Sequence, residues 1–228
     1  MIDITMTACI RPDVHKVVFE SLKRNLKTSH ELRLIMNIDP KGDGTTREEV
    51  MAQASLFFET ALFHQPAQAS FFHAVRTVWN LCQTEFVLQW EDDWELLQPL
   101  DLDLCIDYLQ SHDKVSLIGF YKGPTPVTGR FSYKGLDLGV RARNRPHFPP
   151  ALMEKSYVKG MLRRMRKPPA KNDPSPMMRK HPVFLEFINT KQQLVLFGPD
   201  KSLMVKDIGR EWVAATGIKL KGEEYGAS

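Results

Sequence analysis

The chain opens on an alternation of apolar and small polar residues. Residues 2–9 read Ile-Asp-Ile-Thr-Met-Thr-Ala-Cys, the period of a strand with one face in a core. Arg11-Pro12-Asp13 ends that strand and opens a helix, with proline in the first turn, where its missing N–H costs nothing. Val14, Val17, Val18, Leu22 and Leu26 then recur at helical spacing. Residues 32–39 predict a second strand, stopped by the turn cluster Pro40-Lys41-Gly42-Asp43-Gly44. Residues 46–58 fit a helix and 61–64 a short third strand. Residues 70–82 predict an amphipathic helix with Phe71, Val75, Val78 and Leu81 on one side. The apolar run at 85–90 is a buried-type strand that leads straight into Glu91-Asp92-Asp93. A helix at 102–110 and a buried strand at 114–121 follow. This order predicts an α/β three-layer sandwich, Rossmann-like, with a mostly parallel sheet.

After Tyr121 the texture changes. Glycine, proline and basic residues dominate 122–150 with little periodicity; 151–166 predicts a basic helix; 167–176 is proline-rich and reads as a loop. Residues 182–188 and 194–197 read as short helix or strand pieces, 205–212 as a compact motif and 219–228 as a polar tail. The chain thus divides into an α/β half, 1–121, and a second half, 122–228, within one continuous domain.

Composition adds a bound and charge adds an asymmetry. The 228 residues are 43% hydrophobic and 25% charged, enough for one sizeable core. No apolar run approaches the roughly 18 residues that span a bilayer. The first residues lack the pattern of a secretion signal, so a cytoplasmic location is the expectation. Cys9, Cys82 and Cys105 are odd in number and widely spaced, and read as small core residues. The net charge is only +4, yet 122–180 holds fifteen Lys/Arg against three Asp/Glu. That segment carries +12 and the remainder −8, which points to a polyanionic partner or to a solvated basic surface.

The chemistry concentrates at strand ends. In parallel α/β sheets ligands sit outside the carboxyl ends of the strands, and Arg11, Asp39 and Glu91-Asp92-Asp93 all fall there. Adjacent carboxylates repel one another, and a divalent cation relieves that repulsion. Mg²⁺ or Mn²⁺ takes one or two protein carboxylates and completes its shell with phosphate oxygens. Trp90 and Trp94 flank the triplet and suit either stacking or the core. The histidines, among them His64, His73 and His181, show no metal-ligand spacing.

Residues 86–95, Phe-Val-Leu-Gln-Trp-Glu-Asp-Asp-Trp-Glu, resemble the strand and DXD element of GT-A-fold glycosyltransferases of the family 2 type. The resemblance runs through about the first 120 residues and resembles small bacterial and phage members. It implies a metal-dependent transfer of a sugar from a nucleotide sugar, a UDP-sugar by preference, with Mn²⁺ or Mg²⁺. By the same resemblance Thr7 to Arg11 lie beside the nucleobase and Asp39 near the base or ribose. Ala74, Arg76 and Asn80 of the helix before the DXD strand lie near the nucleotide. Glu91 faces the ribose or sugar, with Asp92 beside it, and Asp93 binds the metal. Here the motif is Glu-Asp-Asp rather than plain Asp-X-Asp. Phe148-Pro149-Pro150-Ala151-Leu152 resembles the loop opening the acceptor-side helix. Residues 205–210, Val-Lys-Asp-Ile-Gly-Arg, resemble the element that folds back on the diphosphate, where Asp207 would replace the more usual histidine ligand. Arg210 could fork onto phosphate or pair with Glu211. Asp173, in the proline-rich loop, and Glu186 are the carboxylates available as a general base, if the transfer needs one.

The basic half suggests the acceptor. Arg141, Arg143 and Arg145, with Arg163-Arg164-Met165-Arg166-Lys167, suit a nucleic-acid backbone. A hydroxymethylated base of phage DNA, flipped out against Tyr121, Phe131, Tyr133 or Phe148, would serve as the acceptor hydroxyl. A phosphate-bearing glycan, lipid or protein is the competing acceptor. Two other classes stand beside the transferase. A nucleotidyltransferase would carry a glycine-rich phosphate loop early in the chain, and residues 8–13 contain no glycine. A nucleic-acid-binding module would have no need of Glu91 to Asp93.

Overall fold

The structure is a computed structural model, and it describes residues 1–144, 150–166 and 181–217. The elements in chain order are β1 (Ile2–Ile10), α1 (Pro12–Asn25), β2 (Leu26–Lys27), β3 (Leu32–Gly42), α2 (Arg47–Ser55), β4 (Thr60–His64) and α3 (Phe71–Asn80). There follow β5 (Phe86–Glu91), β6 (Trp94–Leu96), β7 (Leu100–Asp101), α4 (Leu102–Ser111), β8 (Val115–Phe120), β9 (Val127–Tyr133) and β10 (Leu136–Arg141). The chain ends with β11 (Ala151–Glu154), α5 (Lys155–Arg164), α6 (Pro182–Ile188), β12 (Gln192–Phe197), β13 (Val205–Asp207) and α7 (Gly209–Thr216).

Nine strands form one sheet in the order β4-β3-β1-β5-β11-β8-β12-β10-β9. Neighbours β4, β3, β1 and β5 run parallel, as do β8 and β12. The short β11 lies antiparallel between β5 and β8, and β10 and β9 add an antiparallel edge. The sheet is therefore continuous across residues 121 and 122, and both halves share it.

Strand alternation decides what each face meets. Ile4, Met6, Leu34, Met36, Leu88 and Trp90 point to one face, where α1, α2 and α4 supply Val18, Phe19, Val50, Cys105 and Leu109. The other face meets α3, α5 and α6 through Ile35, Phe72, Val78, Tyr157, Met161 and Phe184. Burial of each such Leu, Ile or Phe side chain contributes roughly 1.5–3 kcal/mol. On the α3 face the strands also carry polar side chains. Thr5 and Trp79 both donate to Oε1 of Gln89, at 2.8 and 2.6 Å, so this buried amide is satisfied. Toward the strand ends the same row continues as Thr7, Asp39 and Glu91.

Two elements differ from the sequence reading. Residues 151–154 are strand, and the helix starts only at Lys155. A short apolar run buried between two strands has no periodicity to distinguish it from helix. The aperiodic stretch at 122–150 contains the β9–β10 hairpin. Its two-residue turn is Lys134-Gly135, with φ of 48° and 94°, the double left-handed turn that matches strand twist. Among the described residues no helix is long and apolar enough to cross a membrane.

Candidate active site

The carboxyl ends of β1, β3 and β5 border a cavity of about 500 Å³. Thr7, Ala8, Cys9 and Arg11 line it from β1 and the turn into α1, Asp39 and Lys41 from β3, and Phe71 and Ala74 from α3. Glu91, Asp92 and Asp93 line it after β5, and Asp207, Gly209, Arg210 and Val213 close it from the C-terminal segment. The register explains the convergence, since Thr7 lies opposite both Asn37 and Glu91.

The acidic triplet divides into three environments. Asp92 is 4% exposed and is held over the start of α1. It accepts from Cys9 N–H at 2.9 Å, from Arg11 Nε at 3.0 Å and Nη2 at 2.6 Å, and pairs with His15 Nε2 at 3.0 Å. Burial alone would raise its pKa, but Arg11 and His15 hold the carboxyl well below the usual carboxylate range. Asp92, although it borders the cavity, is therefore a buried anion engaged chiefly by Cys9, Arg11 and His15. Arg11 is 4% exposed. Burial works against its charge and the two aspartates outweigh that, so the guanidinium stays protonated. Its Nη2 also reaches Asp93 Oδ2 at 3.0 Å, and its guanidinium lies 5.6 Å from the Trp212 ring centroid.

Asp93 opens onto the cavity. Burial, then Asp92 and Asp207, push its carboxyl above the usual range against the pull of Arg11. Glu91 Oε2 accepts from Trp94 Nε1 at 3.1 Å, which turns this carboxylate along the rim. Trp90 and Trp94 are both core residues. Trp90 is fully buried and donates to the Trp94 carbonyl at 2.8 Å.

The C-terminal segment reaches the site through β13, which pairs antiparallel with β6 and sets Asp207 opposite Trp94. Ile208 N–H then donates to the Asp93 carbonyl at 2.8 Å, and Gly209 N–H to Asp207 Oδ1 at 3.1 Å. Gly209 fits because it has no side chain: a Cβ there would come within 2.2 Å of Asp93 Oδ2. Arg210 pairs with Asp207 at 3.3 Å rather than with Glu211, which bonds Lys206. Asp93 and Asp207 thus place two carboxylates, hard oxygen donors, at the cavity. Among the described residues no three His, Cys, Asp or Glu side chains are grouped to hold a metal. The pair fits a Mg²⁺ or Mn²⁺ whose remaining ligands come from a diphosphate and water.

Across the cavity, Asp39 Oδ1 accepts from Asn37 at 2.8 Å and Oδ2 from Ser70 N–H at 3.0 Å. His64 Nδ1 holds Asn37 Oδ1 at 2.7 Å. Burial raises the Asp39 carboxyl. Ser70 is also the N-cap of α3, accepting from His73 N–H, so Asp39 ties the second strand to the helix carrying Phe71 and Ala74. Phe71 and Lys41 are lining residues that the sequence reading missed. Their signal was position, one residue inside a cap and two residues beyond a strand-end aspartate. Cys9 lines the cavity too, and burial pushes its thiol well up, away from nucleophile chemistry.

Several expected site residues lie elsewhere. Arg76 does not line the cavity; it donates to the Met165 carbonyl and stacks over Phe72 at 5.7 Å, because its helical angle turns it toward α5. Glu186 is on the exposed side of α6 and is also absent from the lining. Asp173 and Phe148 fall outside the described residues, as do Arg145 and Lys167. Of the possible base-stacking residues, Tyr133 packs edge-on against Tyr108 at 4.8 Å and Tyr121 against Phe197 at 4.6 Å. Phe131 tilts against Tyr108 at 5.9 Å. Arg164 packs over Phe187 at 4.2 Å.

Comparison with known proteins gives similarity of structure only. No family model matches the sequence, and no curated protein sequence does. Among solved structures, mannosyltransferase PcManGT from Pyrobaculum calidifontis, in complex with GDP-Man and Mn²⁺, aligns with TM-score 0.57 at 12% identity, over 89% of this chain and 55% of that one. S. aureus TarS 1-349 in complex with UDP-GlcNAc aligns with TM-score 0.60 at 11% identity, over 100% of this chain and 61% of that one. A longer S. aureus TarS structure aligns with TM-score 0.58 at 11% identity, over 90% and 36%. The chain thus spans from about a third to three fifths of the length of these proteins. Its fold is that of GT-A-type glycosyltransferases.

Proposed function

We propose that the protein is a metal-dependent glycosyltransferase that moves a sugar from a nucleotide sugar, by preference a UDP-sugar, to a hydroxyl acceptor. The observation that carries this is the meeting of Asp93 and Asp207 at a cavity whose floor is three parallel strand ends. The ligands of the similar structures, GDP-Man with Mn²⁺ and UDP-GlcNAc, support the same reading. In it, Thr7, Asp39, Lys41 and Phe71 hold the nucleoside end and Glu91 the ribose or sugar. Asp93 and Asp207 would hold Mn²⁺ or Mg²⁺. The cation, when bound, neutralises the diphosphate leaving group. Arg210, largely exposed beside Asp207, is placed to take a phosphate oxygen. Arg11 and Asp92 do not touch the donor; they set the position and charge of Asp93.

The acceptor is inferred from charge. The +12 segment favours a polyanion, and a hydroxymethylated base in phage DNA meets that description. Asp173 is the carboxylate left for the general base, since Glu186 is away from the cavity. A cytoplasmic location goes with this reading.

A thermal-shift panel of nucleotide sugars with Mn²⁺ or Mg²⁺ tests it, because a ligand at 100 times its Kd stabilises by about 2.7 kcal/mol. A rise in Tm that needs both nucleotide and cation is expected. Asp93→Ala should abolish that rise and any turnover of the donor with the fold intact. Full turnover by this variant would sink the mechanism.

A further inference from the structure

Helix α5 carries its charge on one side. At about 100° per residue, Lys155, Ser156, Lys159 and Arg163 fall within roughly 100° of arc, and Arg166 follows just past the helix end, its Nε donating to the Arg163 carbonyl at 3.1 Å. The opposite side holds Tyr157, Val158, Met161 and Met165, buried in the core under α3 and α6. Gly160 allows that packing, for a Cβ there would strike the Phe187 ring at 2.0 Å. Lys159, Arg163 and Arg166 are exposed, and none forms an ion pair with a described residue. Arg164 is not part of this face. It is committed to α6 through Phe187 and the Val183 carbonyl. The charge used for packing is thus separate from the charge left facing solvent.

The stripe has a direction. Because β11 runs antiparallel to β5, α5 starts at the sheet end away from the cavity, where Lys155 N–H donates to the Glu85 carbonyl. It then climbs toward the cavity rim. Its last turn meets α3, where Arg76 donates to the Met165 carbonyl. Five residues back along α3 is Phe71 on the cavity wall, about 8 Å at 1.5 Å per residue. From Lys155 to Arg164 the helix is about 14 Å long. That matches about four phosphates of one duplex strand at roughly 3.4 Å of axial rise each.

We infer that this face of α5 is a docking surface for the phosphate backbone of a nucleic-acid duplex, leading to the cavity rim. Three features select that occupant. Two of the three exposed cations are arginines, whose forks match phosphate. The stripe has no exposed aromatic, which a single-strand binder would use for stacking. The apolar side of α5 is consumed by the core, so no apolar face remains to enter a lipid surface. The binding does not depend on the transfer reading; only the use made of the bound duplex, presentation of an acceptor hydroxyl, rests on it.

The test is a full-chain variant with Lys159→Glu, Arg163→Glu and Arg166→Glu together. Anisotropy with a labelled duplex DNA of about 24 base pairs is followed against salt. Three phosphate contacts predict a log–log slope near −3 for the unaltered protein. The variant should bind at least about 30-fold more weakly at low salt, with a nearly flat slope. Lys16→Glu and Lys23→Glu on α1 with Lys27→Glu on the adjoining β2, all exposed, change net charge equally and should alter affinity less than about threefold. Equal weakening by both variants would overturn the inference, as would tighter binding to a single strand or to anionic phosphatidylserine vesicles. The Tm rise with UDP and Mg²⁺ is measured on the same samples. Its retention in the α5 variant shows a folded donor site, and its absence from every sample would count against the transfer reading alone.

Discussion

Asp92 and Asp93 are neighbours in the chain and opposites in their surroundings. Asp92 is enclosed by Cys9 N–H, Arg11 and His15, while Asp93 meets Arg11 on one side and the cavity on the other. Their substitutions should therefore separate stability from activity. Asp92→Ala leaves Arg11 buried without its main partner and should cost about 3–5 kcal/mol, read in urea unfolding. Asp93→Asn removes a carboxylate whose charged form burial already disfavours, so it should change stability by less than about 1 kcal/mol. It should still remove cation-dependent nucleotide binding in calorimetry. Gly209→Ala tests the same wall from the C-terminal side. Its methyl would displace Asp93 and should weaken Mn²⁺ binding in the presence of UDP by about 10–100-fold, the range seen when the support of a ligand is disturbed.

Elements that pack on themselves or alternate cleanly were legible in the sequence. β1, β3, β5 and β8 each matched a run whose period or apolar density left no rival reading, and Ser70 and Pro12 marked two helix starts. β11 was not legible, because its residues are strand only by virtue of the two strands that flank it. The site was legible by position, as three polar strand ends, and less so by role. Arg11 stood at the right end, yet nothing in the sequence said that its partner would be Asp92 and not a phosphate. Arg76 shows the reverse: a helix beside the site was correctly placed, and the position of Arg76 around that helix sent the side chain to Met165. At this scale α7 is the weakly anchored element. Gly209 is its sole buried described residue, and Trp212 reaches the body over Arg11. Trp212→Ala should lose about 1 kcal/mol of cation–π contact. Proteolysis within 209–217 should then quicken while the global urea midpoint stays nearly unchanged.

For the whole molecule, acid stability has, besides Asp92, a contributor far from the cavity. Asp3 is fully buried at the start of β1 and accepts from Arg33 Nε at 2.7 Å, Gln83 N–H at 2.6 Å and Thr84 N–H at 3.0 Å. Burial pushes its carboxyl up, and these donors more than reverse that, so its pKa in the fold is lowered. A lowered folded pKa means the stabilisation is complete above the unfolded value, near 3.9, and is lost as pH falls through the folded value. Asp3→Asn should lower Tm at pH 7 by roughly 4–8 °C, for about 2 kcal/mol. It should also flatten the fall in Tm between about pH 5 and pH 2, and an unchanged acid limb would refute the assignment.

The late arrival of β11 has a consequence for how the chain reaches this state. β5 and β8 are complete by residue 120, yet the strand that joins them is residues 151–154. A nascent chain that has emerged only to residue 121 presents three unpaired apolar strand edges, one of Phe86–Glu91 and both of Val115–Phe120. Loop closure across some thirty residues must precede that pairing, which slows assembly and lengthens the exposure. A fragment ending at 121 should accordingly aggregate on synthesis, and one extended to 166 should join β8 to β5 through β11 and stay soluble longer, with one edge of β8 still open until β12.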